Sequence, residues 1–215
     1  MIVNITTYVG QPETLVTGGT LVFKTLRVGF PDARVIVTDN ASIESARDEI
    51  KRLCKQNDCE YVQNEKAVKT PFCIRSYIEK NDGKIVILDA DTLFWSNCQV
   101  FNGDYLISGR FIPAYNEVFT GCYTMPRVHP SFLIITDTEL LRSRIKGLQR
   151  QLTDYEPFHE YVFPLLGRWY RYDNIANLSA SFANDISYFT PEQLDCYDHL
   201  MVGSYPLQQV MSSLP

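Results

Sequence analysis

The sequence predicts an α/β protein, a single three-layer α/β/α domain with a mostly parallel, mixed central sheet. Strand-like runs alternate with helix-like segments through the N-terminal half, at the spacing of βαβ units. The run 84–88 is almost wholly aliphatic, which is typical of a strand buried on both faces. Since crossovers between parallel strands are right-handed, helices are expected on both faces of the sheet.

Composition narrows the class of protein. The chain has 215 residues, of which 45% are hydrophobic and 21% charged, with a net charge of −5 and a pI near 5.2. This acidic balance argues against a broad non-specific grip on DNA or RNA, which needs a basic face. No apolar run approaches the length needed to span a bilayer, and no signal peptide is visible.

The cysteines indicate the compartment. There are 6 of them, without C-x-x-C spacing, so we interpret them as mostly buried free thiols and not as a zinc site or a disulfide framework. Together with the absence of a signal peptide, this predicts a soluble protein made and kept in the cytosol. Their positions are Cys54, Cys59, Cys73, Cys98, Cys122 and Cys196.

In the first half, runs rich in β-branched and aliphatic residues predict strands, and helix-spaced apolar positions predict helices. Gly18 and Gly19 weaken the first helix. Ser42 is predicted to cap the second, and Pro71 lies in the first turn of the third. The strands are 2–8, 34–38, 59–63 and 84–88, and the helices are 14–28, 44–57 and 70–78.

In the second half of the sequence, the pattern of predicted strands and helices is less regular. Strands are predicted at 105–108 and 132–136, separated by an aromatic, proline-interrupted stretch, 111–129, that we interpret as a long functional loop. A helix over 137–152 carries basic residues that we interpret as a solvated face, and a short helix follows at 157–166. The basic residues are Arg142, Arg144, Lys146 and Arg150.

Two carboxylates end the buried strand, at Asp89 and Asp91. Residues i and i+2 of an extended segment point the same way, so both side chains leave the sheet at its C-terminal edge, where α/β sheets bind ligands. Two like charges side by side repel unless a cation lies near them, and Mg²⁺ or Mn²⁺ suits such a pair. The alternative is a strand end capped by turn-forming, solvated aspartates.

Three segments resemble the A-type glycosyltransferase fold, also called the nucleotide-diphospho-sugar transferase fold. Residues 36–42, Ile-Val-Thr-Asp-Asn-Ala-Ser, resemble the family's Val-Asp-Asn-x-Ser segment. Residues 86–94 match its metal-binding Asp-x-Asp. Asp198-His199-Leu200, with Gly203 after it, is similar to the late metal-binding histidine of glycogenin-like members, whose His-to-Gly spacing is usually one residue shorter. The resemblance covers roughly 1–140 and, in the tail, His199.

This resemblance implies a metal-dependent glycosyltransferase of the hexosyltransferase class. It would move a sugar from a nucleotide-diphosphate donor, a UDP-sugar, to an unidentified acceptor. A Rossmann-like half at about 1–96 would bind the nucleotide, and about 97–215 would bind the acceptor. The metal, Mn²⁺ or Mg²⁺, would be held by Asp89, Asp91 and His199, and the alternative for His199 is a structural role.

The same resemblance implies a donor site. Asp39 would accept from the N3–H of the base, unless it is only a turn residue, and Tyr8 would stack on the base, unless it is a core aromatic. Lys69 and Arg75 would meet the diphosphate, unless they are merely solvated. An inverting enzyme also needs a carboxylate base, for which Asp154 and Glu156 are the candidates. The donor-binding set is Thr6, Tyr8, Asp39, Lys69, Arg75, Asp89 and Ala90.

Two other classes use or tolerate an Asp-x-Asp. A haloacid-dehalogenase-like phosphatase employs one Asp as nucleophile and the other as acid and base, but it usually has Gly-Thr directly after the second Asp and carries the motif on its first strand. Here Thr92 follows Asp91 directly, and three βα units come first. An α/β binding module without catalysis is the non-enzymatic alternative, which the intact aspartate pair disfavours.

Overall fold

The computed structural model describes residues 1–68, 70–101, 105–112, 115–117, 122–124, 127–151 and 185–199. Several sequence-based predictions lie outside these residues: Lys69, Asp154, Glu156, the helix at 157–166, and the chain from Leu200 onward. Within the described ranges, no helix combines the length and the apolar character that crossing a membrane requires.

The described strands are β1 (Ile2–Thr7), β2 (Arg34–Asp39), β3 (Cys59–Gln63), β4 (Ile85–Asp89), β5 (Thr92–Phe94), β6 (Ile107–Ile112), β7 (Tyr115–Glu117), β8 (Cys122–Thr124), β9 (Arg127–Ile135), β10 (Ile186–Tyr188) and β11 (Tyr197–His199). The described α-helices are α1 (Leu26–Gly29), α2 (Glu44–Gln56), α3 (Thr70–Lys80), α4 (Thr138–Gln151) and α5 (Pro191–Leu194).

Seven of these strands form one sheet in the order β10-β6-β9-β4-β1-β2-β3. β2 pairs with β3, and β10 with β6, in parallel. β9 runs antiparallel to both of its neighbours, β4 and β6. β4 is buried over Ile85–Leu88, as its aliphatic sequence indicates. The predicted α/β fold with a mostly parallel, mixed sheet is confirmed.

The first predicted helix, 14–28, is wrong as a regular helix. The chain instead forms short 3₁₀-helical segments at Pro12–Thr14 and Leu21–Lys24 and a π-helical segment at Val16–Thr20 before α1. Tyr8 N–H donates to the Gly18 carbonyl at 2.8 Å, and a Cβ on Gly18 would lie only 2.2 Å from the Tyr8 carbonyl oxygen. The two segments can approach this closely because glycine has no side chain there.

Ser42 does not cap α2. The N-cap residue is Ile43, and no side chain caps that terminus. Ser42 Oγ instead accepts a hydrogen bond from Val9 N–H at 3.0 Å, and Ser42 N–H donates to Asp39 Oδ1 at 2.9 Å. The long-range bond to the chain after β1 uses the hydroxyl that a local cap would have used.

The stretch 111–129 contains more regular structure than predicted. β6 extends to Ile112 and β9 begins at Arg127, with Ile112 opposite Arg127, and β7 pairs with β8. The register shifts between Gly109 and Arg110, as at a β-bulge. Aromatic and β-branched residues favour strands once a pairing partner is present, and that partner is not visible from the local sequence.

The chain divides into two compact units. Of the described residues, those within 1–4, 68–88 and 101–192 form one unit, and those within 5–67, 89–100 and 193–199 form the other. The first is built around an apolar cluster that includes Ile74, Ile85 and Leu133. The second contains the strand-end aspartates. A functional division into donor-binding and acceptor-binding halves is a different matter and stays a prediction.

In the first unit, the basic face of α4 is more than a solvated surface. Arg142 donates to the carbonyls of Ile78 and Asn81, at 2.7 and 3.2 Å, and pairs with Asp82 at 2.6 Å. It therefore satisfies carbonyl groups at the C-terminal end of α3, which have no partner within that helix. Arg144 makes a longer ion pair, 3.8 Å, with Asp185.

In the second unit, Arg27 holds several loops together, and we expect Arg27→Met to lower the free energy of unfolding by roughly 2 to 3 kcal/mol. Its guanidinium donates to backbone carbonyls over distances of 2.6–3.2 Å. Urea unfolding followed by circular dichroism measures the loss. The acceptors belong to Phe30, Ala33, Asn57 and Asp58.

Two further variants control this prediction. Arg27→Lys should recover only part of the loss, because one ammonium cannot span the acceptors that a planar guanidinium reaches. Arg34→Met removes an exposed ion pair with Glu60 and should change stability by less than about 1 kcal/mol. Equal effects of Arg27→Met and Arg34→Met would contradict the structural role of Arg27.

Candidate metal centre

The centre is built from one strand end and one two-stranded ribbon. β4 ends at Asp89, Asp91 follows in the turn, and β5 begins at Thr92. β5 pairs antiparallel with β11 so that His199 lies opposite Thr92. The residue next to Asp91 in sequence thus pairs with a histidine from near the end of the described chain, and the three side chains meet.

The distances fit a divalent cation. His199 Nε2 lies 3.2 Å from Asp91 Oδ1 and 3.7 Å from Asp89 Oδ2, and one ligand atom from each residue lies within 4.8 Å of the others. Ligands at right angles around an ion at about 2.1 Å would be about 3 Å apart. Carboxylates suit both Mn²⁺ and Mg²⁺, and the imidazole favours a transition metal such as Mn²⁺ over Mg²⁺, so the residues present fit the predicted divalent metal.

Burial strengthens the electrostatic repulsion between the two aspartates of the centre. The His199 side chain is 7% exposed and that of Asp91 12%, whereas that of Asp89 is 34% exposed. Burial raises the pKa of the Asp89 carboxyl, the charge of Asp91 raises it further, and His199 lowers it. A cation would relieve the repulsion between the two aspartates. The partial exposure of Asp89 leaves one side of the group accessible to a ligand.

Asp39 is fully buried at the end of β2. Its Oδ1 accepts from Ser42 N–H, and its Oδ2 accepts from the Tyr61 hydroxyl at 2.7 Å. Burial and this hydrogen bond raise the pKa of Tyr61. These contacts hold the turn after β2, where Ala41 has a φ of 62°. They agree with the turn interpretation of Asp39, while a contact with a base stays a prediction.

The other donor-site candidates in this unit lie near strand ends. Tyr8 is 51% exposed, so the alternative that it is a core aromatic is wrong and its ring is accessible for stacking. Thr6, in β1, is partly buried. Ala90 is buried between the two aspartates, and its carbonyl accepts from Val22 N–H at 2.9 Å.

Arg75 lies on α3 in the other unit, where it pairs with Glu79 at 2.8 Å. This contact is an i,i+4 pair on a helix surface, which agrees with the solvated interpretation. A diphosphate contact by Arg75 stays a prediction. Lys69, Asp154 and Glu156 lie outside the described residues, and their roles stay predictions.

Sequence reasoning missed the element that assembles the centre. The pairing of β5 with β11 has a weak local signal, since Thr92-Leu93-Phe94 and Tyr197 are residues that favour strands. Tyr61, the partner of Asp39, and Thr25, whose hydroxyl contacts β5, carry no signal. Cys54, Cys59, Cys73 and Cys98 are free thiols, as predicted for these positions, and Cys54, Cys73 and Cys98 are buried.

No protein-family model and no curated protein sequence matches this chain. Solved structures do. The bifunctional glycosyltransferase WbbM, without ligand, aligns with a TM-score of 0.52 at 11% identity, over 88% of this chain and 38% of WbbM. A mannosyltransferase from Pyrobaculum calidifontis, in complex with GDP-Man and Mn²⁺, gives 0.46 at 13% identity, over 68% of this chain and 46% of its own.

The galactosyltransferase LgtC, in complex with donor and acceptor sugar analogs, gives 0.47 at 12% identity, over 87% of this chain and 73% of LgtC. At such identities, the WbbM alignment shows a shared fold. The chain therefore has the fold of the A-type glycosyltransferases, and the resemblance inferred from the sequence is confirmed at that level. The chain spans less than half the length of WbbM and of the mannosyltransferase.

Proposed function

We propose that the protein is a metal-dependent glycosyltransferase that transfers a sugar from a nucleotide-diphosphate donor to an acceptor. The observation that carries the proposal is the group formed by Asp89, Asp91 and His199 at the C-terminal end of a central strand in this fold. Ligands bind at that edge of α/β sheets. A divalent cation there would stabilise the charge that develops on the leaving diphosphate.

The chain's own residues divide the work. Asp91 and His199 would hold the metal from the buried side, because both side chains are nearly enclosed. Asp89, which is partly exposed, would hold it on the side where the donor enters, directly or through water. Ala90, which lies between Asp89 and Asp91 in the same turn, would then contact the donor.

The donor proposed is a UDP-sugar, as the resemblance implies. The exposed ring of Tyr8 supports stacking on a base, with Thr6 on the preceding strand and Lys69 and Arg75 as candidate phosphate partners. Asp39 would accept from the base N3–H or, through its bonds to Ser42 and Tyr61, fix the turn against which the base lies.

The role of a catalytic base depends on whether the enzyme inverts or retains the configuration of the sugar. An inverting mechanism would use Asp154 or Glu156 as the base that deprotonates the acceptor hydroxyl, and a retaining mechanism would need neither. Loss of transfer but not of donor hydrolysis in Glu156→Gln or Asp154→Asn would identify the base of an inverting enzyme.

The decisive experiment follows the melting temperature with UDP-, GDP- and CMP-sugars, each with and without Mn²⁺. A ligand at about 100 times its Kd stabilises by roughly 2.7 kcal/mol, which corresponds to a shift of several degrees. Stabilisation by one nucleotide that requires Mn²⁺ supports the proposal. Stabilisation by vanadate with Mg²⁺ alone would favour the phosphatase, and no stabilisation by any of these ligands would favour a non-catalytic module.

A further inference from the structure

The segment Val16–Gly29 contacts β5 and the residues on either side of it at several points. Val22 N–H donates to the Ala90 carbonyl at 2.9 Å, and Cys98 N–H donates to the Gly29 carbonyl at 2.8 Å. The Thr25 hydroxyl accepts from Phe94 N–H at 2.9 Å. These contacts lie before, within and after β5.

β5 is the common support of two of the three metal-binding candidates. Asp91 directly precedes it, and His199 pairs with it through β11. Asp89, by contrast, ends β4 in the central sheet. Any displacement of β5 therefore moves Asp91 and His199 together relative to Asp89, and the spacing of the three ligand atoms depends on where β5 is held.

The edges of β5 are held differently. On one side Trp95 N–H donates to the Cys196 carbonyl at 2.8 Å, just before β11. Because hydrogen-bonding groups alternate along a strand, Phe94 N–H faces the other side, where the Thr25 hydroxyl accepts it. Thr25 is almost completely buried, so this side chain serves as the backbone partner that a neighbouring strand would otherwise supply.

We propose that Thr25 is a positioning residue of the metal centre, which anchors β5 and thereby sets the spacing of Asp91 and His199 from Asp89. The assignment rests on the proposed function, because it assumes that these residues bind a cation. Removing the hydroxyl leaves a buried N–H without its acceptor, a change that favours a shifted β5. The expected result is weaker metal binding.

The test titrates Mn²⁺ alone into the parent protein and into Thr25→Val, Thr25→Ser and Thr138→Val. Thr138 is the matched control, since it is also buried and its hydroxyl donates to the Asn81 carbonyl at 2.7 Å, in the other unit. Thr25→Val should weaken Mn²⁺ binding about tenfold, a typical loss when the support of a metal ligand is removed. Thr25→Ser and Thr138→Val should stay within about twofold of the parent.

Hydrogen exchange in the absence of metal supplies a second readout. Thr25→Val should accelerate exchange of the amides in β5 and β11, and Thr138→Val should not. Thr25→Ala, which removes the same acceptor without adding bulk, replaces Thr25→Val if that variant does not fold.

The outcomes separate the inference from the function on which it rests. Parent-like Mn²⁺ affinity in Thr25→Val, an equal loss in Thr138→Val, or unchanged exchange in β5 overturns the positioning role and leaves the proposed function intact. Failure of the parent protein to bind Mn²⁺, both alone and with a nucleotide-sugar present, overturns both.

Discussion

Asp91→Asn should lower the affinity for Mn²⁺ by about 100-fold or more, because it removes the charge of the candidate ligand closest to His199 while keeping its shape. Isothermal titration with Mn²⁺ measures this loss directly. Stabilisation by a nucleotide-sugar that requires Mn²⁺ should disappear in the same variant.

The metal-free Asp91→Asn protein should fold normally. Burial and then the Asp91 charge raise the pKa of Asp89, and because the two carboxylates repel each other without a cation, removing one charge relieves that repulsion. We expect a melting temperature equal to or slightly above that of the parent in a chelator. Unfolding of the variant would mean that Asp91 is chiefly structural.

Asp48→Asn is the matched control for this prediction. Asp48 is exposed on α2, so its replacement removes the same charge from a residue outside the proposed metal centre. It should leave Mn²⁺ affinity within about twofold. Full metal affinity in Asp91→Asn, or an equal loss in Asp48→Asn, would end the metal-centre hypothesis.

The sequence predicts the strands of the first half well, because β1, β2 and β4 are short runs rich in β-branched or aliphatic residues and bounded by turn residues. β4 is the clearest case, since a strand buried on both faces needs aliphatic residues on both. The position of Asp89 and Asp91 at the strand end follows directly. Local patterns therefore predict the α/β fold, whereas the A-type fold was inferred from the resemblance of three motifs to a known family.

Several of the features that escaped prediction depend on partners far away in the chain. The Ser42 hydroxyl bonds Val9 in preference to its own helix. β5 and β11 are each only three residues long, too short for periodicity to reveal them, and their pairing brings His199 to Asp91. Arg142 caps α3 from another helix. Side chains that serve a distant backbone leave no periodic trace.

The largest loss of stability is expected for Gly18→Ala, about 3 to 5 kcal/mol in urea unfolding. The new Cβ would lie 2.2 Å from the Tyr8 carbonyl oxygen and 3.2 Å from its carbonyl carbon. Both are backbone atoms at the end of β1, and the Gly18 carbonyl is itself bonded to Tyr8 N–H. Because the overlap is with backbone atoms, a side-chain rotation cannot relieve it, and neither segment can move away without losing that bond.

Gly10→Ala separates this steric effect from the general consequence of replacing glycine. Its Cβ would meet only the ring of Tyr8, at 3.1 Å or more, and that exposed ring can turn away. Alanine also restricts the unfolded chain, which favours folding by about 0.4 to 1 kcal/mol, so Gly10→Ala should change stability by less than about 1 kcal/mol. Similar stabilities for the two variants would show that Val16–Thr20 does not approach the end of β1 as closely as described. A large loss confined to Gly18→Ala would instead establish that this contact, and with it the position of Tyr8, is fixed by the absence of a side chain.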